Sequence, residues 1–243
     1  MHMPIHAFTD YLSLTVGLEM YIRMNKNDTI LQGISKYYYV IAAMLGAFLG
    51  SHLLALAATP SLFASGITFK IFMGNKTIIG AIAGGVIGIE IVKKILKIER
   101  RTGDGVVIPL ILAIIIGRIG CEFAGVSDGT IGTICHLPWC FTQGDSFPRH
   151  PLPLYEIMYL LLLLPSMIFA YKRKLFSEGT LFRIFTVLYF GLRFLLEFLK
   201  DDPRPFYSLT VIQIFCLVWC VYYVYSMIGQ TFLRNNNSLQ ELR

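Results

Sequence analysis

The stretch "VVIPLILAIIIGRIGCEFAGVSDG", Val106–Gly129, decides how the rest of the chain is read. Its first eleven residues are apolar without a break, the composition a bilayer accepts. Arg118 follows, and Glu122 four residues later. The chain then dissolves into Gly125, Ser127, Asp128 and Gly129, residues that favour turns. An apolar helix that carries an arginine and a carboxylate close to its end is a helix that stops at a polar layer.

Composition points the same way. Of 243 residues 55% are hydrophobic and 15% charged, where soluble domains average about 25% charged. The mean hydropathy is +0.62. The chain is therefore expected to be an all-α integral membrane protein with about seven transmembrane helices, one polytopic domain over residues 1–243. The expected spans are 5–24, 37–58, 77–98, 105–125, 152–171, 181–199 and 209–230, with an outer loop over 126–150. The first is the weakest, because Asp10 and Glu19 interrupt it. It is expected to be retained, since the start of the chain lacks the basic region and cleavage site of a secretory leader. The tail after Leu233 is polar and expected to fray.

The net charge of +6 does not indicate nucleic acid, because the basic residues are spread over loops and form no patch. Their distribution reports topology instead. With the N-terminus outside, cytoplasmic segments hold 13 Lys and Arg and outer segments 5. Positive residues accumulate on the cytoplasmic side, so the N-terminus is expected outside and the C-terminus in the cytoplasm.

Two arginines lie inside spans at matching depth. Arg118 is about 20 Å above the inner end of span four and Arg193 about 18 Å above that of span six, at 1.5 Å per helical residue. Each has a carboxylate four positions on, Glu122 and Glu197, a spacing that shares a helix face. Glu156 opens span five in the same outer layer. A charge facing lipid costs roughly 2.5–3.5 kcal/mol, so these groups should turn inward. Two guanidinium forks at headgroup level suit a phosphate. Either a structural ion network or a polar site accounts for them.

The carrying motifs are "GRIGCEFAGVSDGTIGTICHLPWC", "RHPLPLYE", "YFGLRFLLEFLKDDPRP" and "SLTVIQIFCL", with weaker "MLGAFLGSHLL" and "NKTIIGAIAGGVIG". In this order they resemble the bacterial phosphatidylglycerol–prolipoprotein diacylglyceryl transferases over nearly the whole chain. The resemblance implies a seven-helix protein of the bacterial cytoplasmic (inner) membrane whose site faces the outer leaflet. It implies transfer of diacylglyceryl from phosphatidylglycerol to the lipobox cysteine of a lipoprotein precursor, with glycerol phosphate leaving and no metal or cofactor. The implied catalytic residues are Arg118, Arg193 and Glu197. Those implied to bind substrate are Gly117, Gly120, Cys121, Glu122, His150, Tyr155, Glu156, Tyr189 and Gln213. Asp10 or Tyr11 falls where the family has an early tyrosine.

The chain departs from the family pattern at four places. Cys121 replaces an Asn and Pro153 a Gln, His52 stands for an arginine, and no histidine precedes Gly80. A diverged branch follows, in which the general base is unassigned. A phospholipid-binding or lipid-moving protein of the same fold, without transfer activity, is the competing reading. Cys135, His136, Cys140 and His150 match no strong zinc spacing, and a Cys135–Cys140 disulfide stays an option in an oxidising compartment. Gly80, Gly84, Gly85 and Gly88 lie within a span and are expected to serve close helix packing.

Overall fold

The computed structural model describes residues 3–26, 35–59, 68–128, 132–200, 204 and 208–241. Eight α-helices occur among them: α1 (Met3–Met24), α2 (Ser35–Ala58), α3 (Phe69–Gly74), α4 (Ile78–Ile95), α5 (Val107–Ala124), α6 (Leu152–Arg173), α7 (Thr180–Leu196) and α8 (Val211–Glu241). Every segment expected to be apolar and helical is a helix. The short α3 was not expected. The tail differs in one respect: α8 runs on to Glu241, so the polar residues after Leu233 extend the helix.

Four of the described helices are long and apolar enough to cross a membrane. They are Tyr37–Ala58, Asp104–Ala124, Leu152–Arg173 and Val211–Gly229, with hydropathy of 1.8 to 2.2. Leucines and aromatics such as Leu161, Leu162, Phe169 and Tyr225 point outward and exposed, as lipid-facing side chains do. The chain is an α-helical membrane protein.

It divides into two compact units, one of residues 1–24, 101–201 and 217–243, the other of residues 25–100 and 202–216. In the second unit α2 packs on α4 through a stripe of small residues. A Cβ added to Gly84 would overlap the carbonyl oxygen of Gly46, one at Gly50 that of Gly80, and one at Gly88 that of Ala42. Spaced four apart, these positions fall on one face and let the two backbones touch, as expected for Gly80, Gly84 and Gly88. Gly85 lies off the seam, with ordinary contacts to Ala43 and Ala47. Thr77 caps α4 by accepting from the Gly80 amide at 3.2 Å. His52, on α2, has its Nδ1 2.7 Å from the Asn75 carbonyl and its ring between Phe48 and Phe72.

In the first unit α1 packs on α5, where a Cβ on Gly120 would collide with Thr9. Below, Asp104 ties α5 to α7. Its carboxylate accepts from the Gly179 amide at 2.7 Å and the Phe182 amide at 3.0 Å, satisfying two of the donors left open at the start of α7. This tie fixes the register of the two helices. Arg118 lies 14 residues above Asp104 and Arg193 13 residues above Thr180, so both arginines reach about 20 Å above it. Above, the loop after α5 folds into a small antiparallel hairpin of β1 (Phe141–Thr142) and β2 (Pro148–Arg149), in register Phe141↔Arg149. The loop is laced to its surroundings by backbone bonds. The Gly132 amide donates to His150, that of Thr133 to Leu199 at the end of α7, and that of Val126 to Gln143.

A buried arginine–carboxylate cluster as candidate active site

The first turns of α6 deliver Glu156 into the centre of the unit. Pro151 and Pro153 suit a helix start, where a missing N–H leaves no bond unmade. Glu156 is fully buried. Its Oε1 accepts from Arg118 Nε at 2.8 Å and from the Tyr189 hydroxyl at 2.5 Å. Its Oε2 accepts from Arg193 Nη1 at 3.0 Å. Arg118 comes from α5, Tyr189 and Arg193 from α7, so one carboxylate holds three helices. Tyr189 and Arg193 are four residues apart and share a face, and Phe185 stacks on the Tyr189 ring at 5.8 Å.

A second layer lies just beyond. Glu197, on the 3₁₀ turn Glu197–Leu199 that continues α7, brings Oε2 to 3.6 Å from Arg193 Nη2 and 3.8 Å from Lys200 Nζ. All five charged groups are buried or nearly so. Isolated, each would be expensive to desolvate, by several kcal/mol per ion. Together they offset most of that cost through charge-assisted hydrogen bonds. Arg118, Arg193 and Lys200 carry three positive charges and Glu156 and Glu197 two negative, so the cluster keeps one net positive charge. Arg193 Nε has no hydrogen-bond partner among the described residues. The arrangement can hold an anion and stabilise added negative charge on it.

Several expected partnerships differ. Arg118 and Glu122 form no ion pair among the described residues. Arg118 turns across to Glu156, and Glu122 accepts a hydrogen bond from Gln143 of the loop after α5. The carboxylate shared by both arginines is Glu156, while Glu197 serves Arg193 and Lys200. Where a phosphate was expected between the arginines, the Glu156 carboxylate stands. Cys121 lies beside Arg118, with Sγ 3.7 Å from Nη1. Gly120 gives the close approach to Thr9, whereas Gly117 meets only Ser13 Oγ at an ordinary 3.9 Å.

Gln213 belongs to the other compact unit. There it forms a reciprocal capping box at the start of α8: the Thr210 amide donates to its Oε1 at 2.9 Å, and its own amide to Thr210 Oγ1 at 3.1 Å. Tyr11 is largely exposed.

Above the cluster, Trp139 Nε1 donates to the Tyr155 hydroxyl at 2.9 Å, and His150 Nδ1 lies 3.1 Å from the same oxygen. Cys135 and Cys140 are joined as a disulfide. In the hairpin, the Arg149 guanidinium bonds Asp145 at 2.7 Å and holds its carboxyl below the ordinary range. Lys200 and Gln143 were missed. Lys200 had a signal, the i,i+3 step from Glu197; Gln143 had none, because only the fold of the loop brings it to Glu122.

An α-helical membrane protein that buries two arginines around one carboxylate carries, within its helices, a charged cluster able to hold an anion. Residues 5–229 match the family model for prolipoprotein diacylglyceryl transferase, and the chain belongs to that family. Curated relatives named phosphatidylglycerol–prolipoprotein diacylglyceryl transferase include one from Nitratidesulfovibrio vulgaris (strain DSM 19637 / Miyazaki F), 30% identical over 186 residues, covering 73% of this chain and 67% of the relative. One from Clostridium tetani is 30% identical over 170 residues, 68% of each chain. One from Tropheryma whipplei is 26% identical over 213 residues, 79% of this chain and 76% of the relative.

Proposed function

We infer that this chain transfers the diacylglyceryl group of phosphatidylglycerol to the cysteine thiol of a prolipoprotein and releases glycerol phosphate. Family membership supports the reaction, and the observation that carries its location is the pair of guanidiniums fixed by one buried carboxylate. A bond forms between the thiol sulfur and a glyceryl carbon, the bond from that carbon to the phosphate oxygen breaks, and the electron pair leaves with glycerol phosphate. The phosphodiester carries one negative charge and the leaving phosphate gains a second. A cluster with net charge +1 neutralises the first, and its guanidinium donors stabilise the second as it develops.

The roles divide by geometry. Arg118 and Arg193 face the phosphate. Glu156 already accepts three donors, so it orients them, with Tyr189 as its neutral partner. Glu197 and Lys200 set the charge behind Arg193. Glu122, whose carboxylate accepts from Gln143 of the loop, takes the thiol proton. Cys121 stands beside Arg118, and His150 of the loop and Tyr155 of α6 border the site. Seven of the helices act as spans of one polytopic domain, all but the short α3. The N-terminus lies outside and the C-terminus in the cytoplasm, and the site faces the outer leaflet of the bacterial inner membrane. The distribution of Lys and Arg and the shared depth of the two arginines support that orientation.

The test is transfer from labelled phosphatidylglycerol to a lipobox peptide by purified protein. Arg118→Ala or Arg193→Ala lowers the rate by about 10²–10³, the range for one lost donor at a developing oxyanion. Full activity in both variants refutes the assignment. Glu122→Gln lowers turnover by about 10²–10⁴ while leaving lipid binding in place, as loss of a general base does. An unchanged pH–rate profile in that variant assigns the base elsewhere.

A further inference from the structure

The outer loop gathers three metal-ligating side chains of which the transfer reaction uses neither sulfur. Cys135 and Cys140 are bonded, with Cα atoms 6.1 Å apart. His150 Nδ1 lies 3.9 Å from Cys140 Sγ. The two sulfurs and one imidazole nitrogen of this group all fall within 4.8 Å of one another. Neighbouring ligand atoms on one tetrahedral zinc, with Zn–S near 2.3 Å and Zn–N near 2.0 Å, are separated by roughly 3.5–3.8 Å. The Cys140 sulfur already stands near that spacing from His150 Nδ1, and the two sulfurs, now bonded to each other, have only to part to reach it. His136, next to Cys135 in sequence, is not part of the group.

The scaffold around them does not depend on the sulfur–sulfur bond. The Cys135 amide donates to the Pro148 carbonyl at 3.0 Å, the Cys140 amide to Leu137 at 3.0 Å, and the His150 amide to Thr133 at 3.1 Å. Ile134 bridges to Arg149, and Gly132 is pressed against His150 with no room for a side chain. Opening the disulfide therefore leaves both sulfurs facing the imidazole.

We propose that, when reduced, Cys135 and Cys140 join His150 Nδ1 to bind a thiolate-preferring divalent cation of the zinc type, so that the loop closes either through sulfur or through metal. The balance is simple. The disulfide takes two electrons and two protons from a dithiol, which is oxidised to its own disulfide, and becomes two thiols. The cation then forms two metal–sulfur bonds and one metal–nitrogen bond, and two thiol protons are released. The fourth position goes to water. His150 Nδ1 exchanges the Tyr155 hydroxyl for the metal, while Tyr155 keeps its bond from Trp139. Binding thus reaches the residue directly before Glu156.

Full-length protein in detergent decides this, prepared oxidised or after reduction with the reductant removed. Titration with Co²⁺ reads the thiolate-to-cobalt absorption in the near ultraviolet, and Zn²⁺ then competes. The reduced protein is expected to bind one cobalt with the thiolate band, and the oxidised protein none. Cys135→Ser with Cys140→Ser abolishes the band, although Cys121, Cys216 and Cys220 remain as free thiols. His150→Gln keeps both cysteines and therefore the disulfide-closed fold, and weakens binding by at least about 10-fold, the loss even an outer-shell partner causes. No thiolate band in the reduced protein, the same band in the oxidised protein or in the double serine variant, or unchanged affinity in His150→Gln overturns the proposal.

Discussion

The two compact units hold helices together by opposite means. In one, α2 and α4 touch through Gly46, Gly50, Gly80, Gly84 and Gly88, with backbone against backbone. In the other, α5, α6 and α7 meet through Arg118, Arg193, Tyr189 and Glu156, and charge is buried to do it. The glycine seam uses van der Waals contact that lipid cannot match, at no electrostatic cost. The charged junction sets five ions inside a helix bundle, each unfavourable there without its partners. Packing alone would never require that arrangement. The contrast teaches that the first seam needs packing alone, while the second carries an electrostatic cost that fits the role proposed for it toward an anion.

Glu156→Ala is the sharpest way to break the comparison. It removes the anion shared by Arg118 and Arg193 and leaves two guanidiniums facing each other. Stability is expected to fall by about 3–5 kcal/mol, the loss when one partner of a buried pair goes. Transfer activity falls with it. Thermal unfolding in detergent and the lipid-transfer assay read the two effects. If Glu156→Ala unfolds as wild type does, the cluster does not hold the helices.

Gly84→Leu breaks the other side. Its side chain would enter the Gly46 carbonyl, so the helices must separate, at about 1–3 kcal/mol for an overpacked contact. The expected result is a lower melting temperature with kcat per folded molecule unchanged. Loss of kcat at full stability would show that the seam takes part in turnover.

How much of this was legible in the sequence follows from the same contrast. The glycine stripe was readable, because a four-residue spacing of small residues in an apolar segment has one main use. The helices were readable from unbroken apolar runs, and the depth of Arg118 and Arg193 from counting residues. The partner of Arg118 was not. The i,i+4 rule sees neighbours on one helix, and it paired Arg118 with Glu122. The true partner comes from another helix and depends on how α5 and α6 are rotated about their axes, which spacing does not record. Glu156 could be assigned to the right layer but not to the centre of it. Gln213 shows a second signal in one residue: "TVIQ", read as part of a site, is also the Thr-x-x-Gln of a capping box, a local pattern that was available. The Cys135–Cys140 bond needed the hairpin that brings the loop back on itself.

The smallest effect tests whether charge outside the cluster matters at all. Asp145 and Arg149 pair on the hairpin, partly exposed to solvent. The Arg149 hydrogen bond lowers the Asp145 carboxyl below its unfolded value, near 3.9. A depressed carboxylate stabilises the fold above its unfolded pKa, and that contribution disappears as pH falls through the lower, folded value. Asp145→Asn should therefore leave stability almost unchanged at neutral pH and change nothing once the pH is below the folded value, with any difference confined to higher pH and erased by salt. Melting curves of the two proteins across pH 3–7, at low and high ionic strength, read this directly. A salt-resistant loss at pH 7 as large as that of Glu156→Ala would mean that the hairpin pair, too, is part of what the charged junction holds in place.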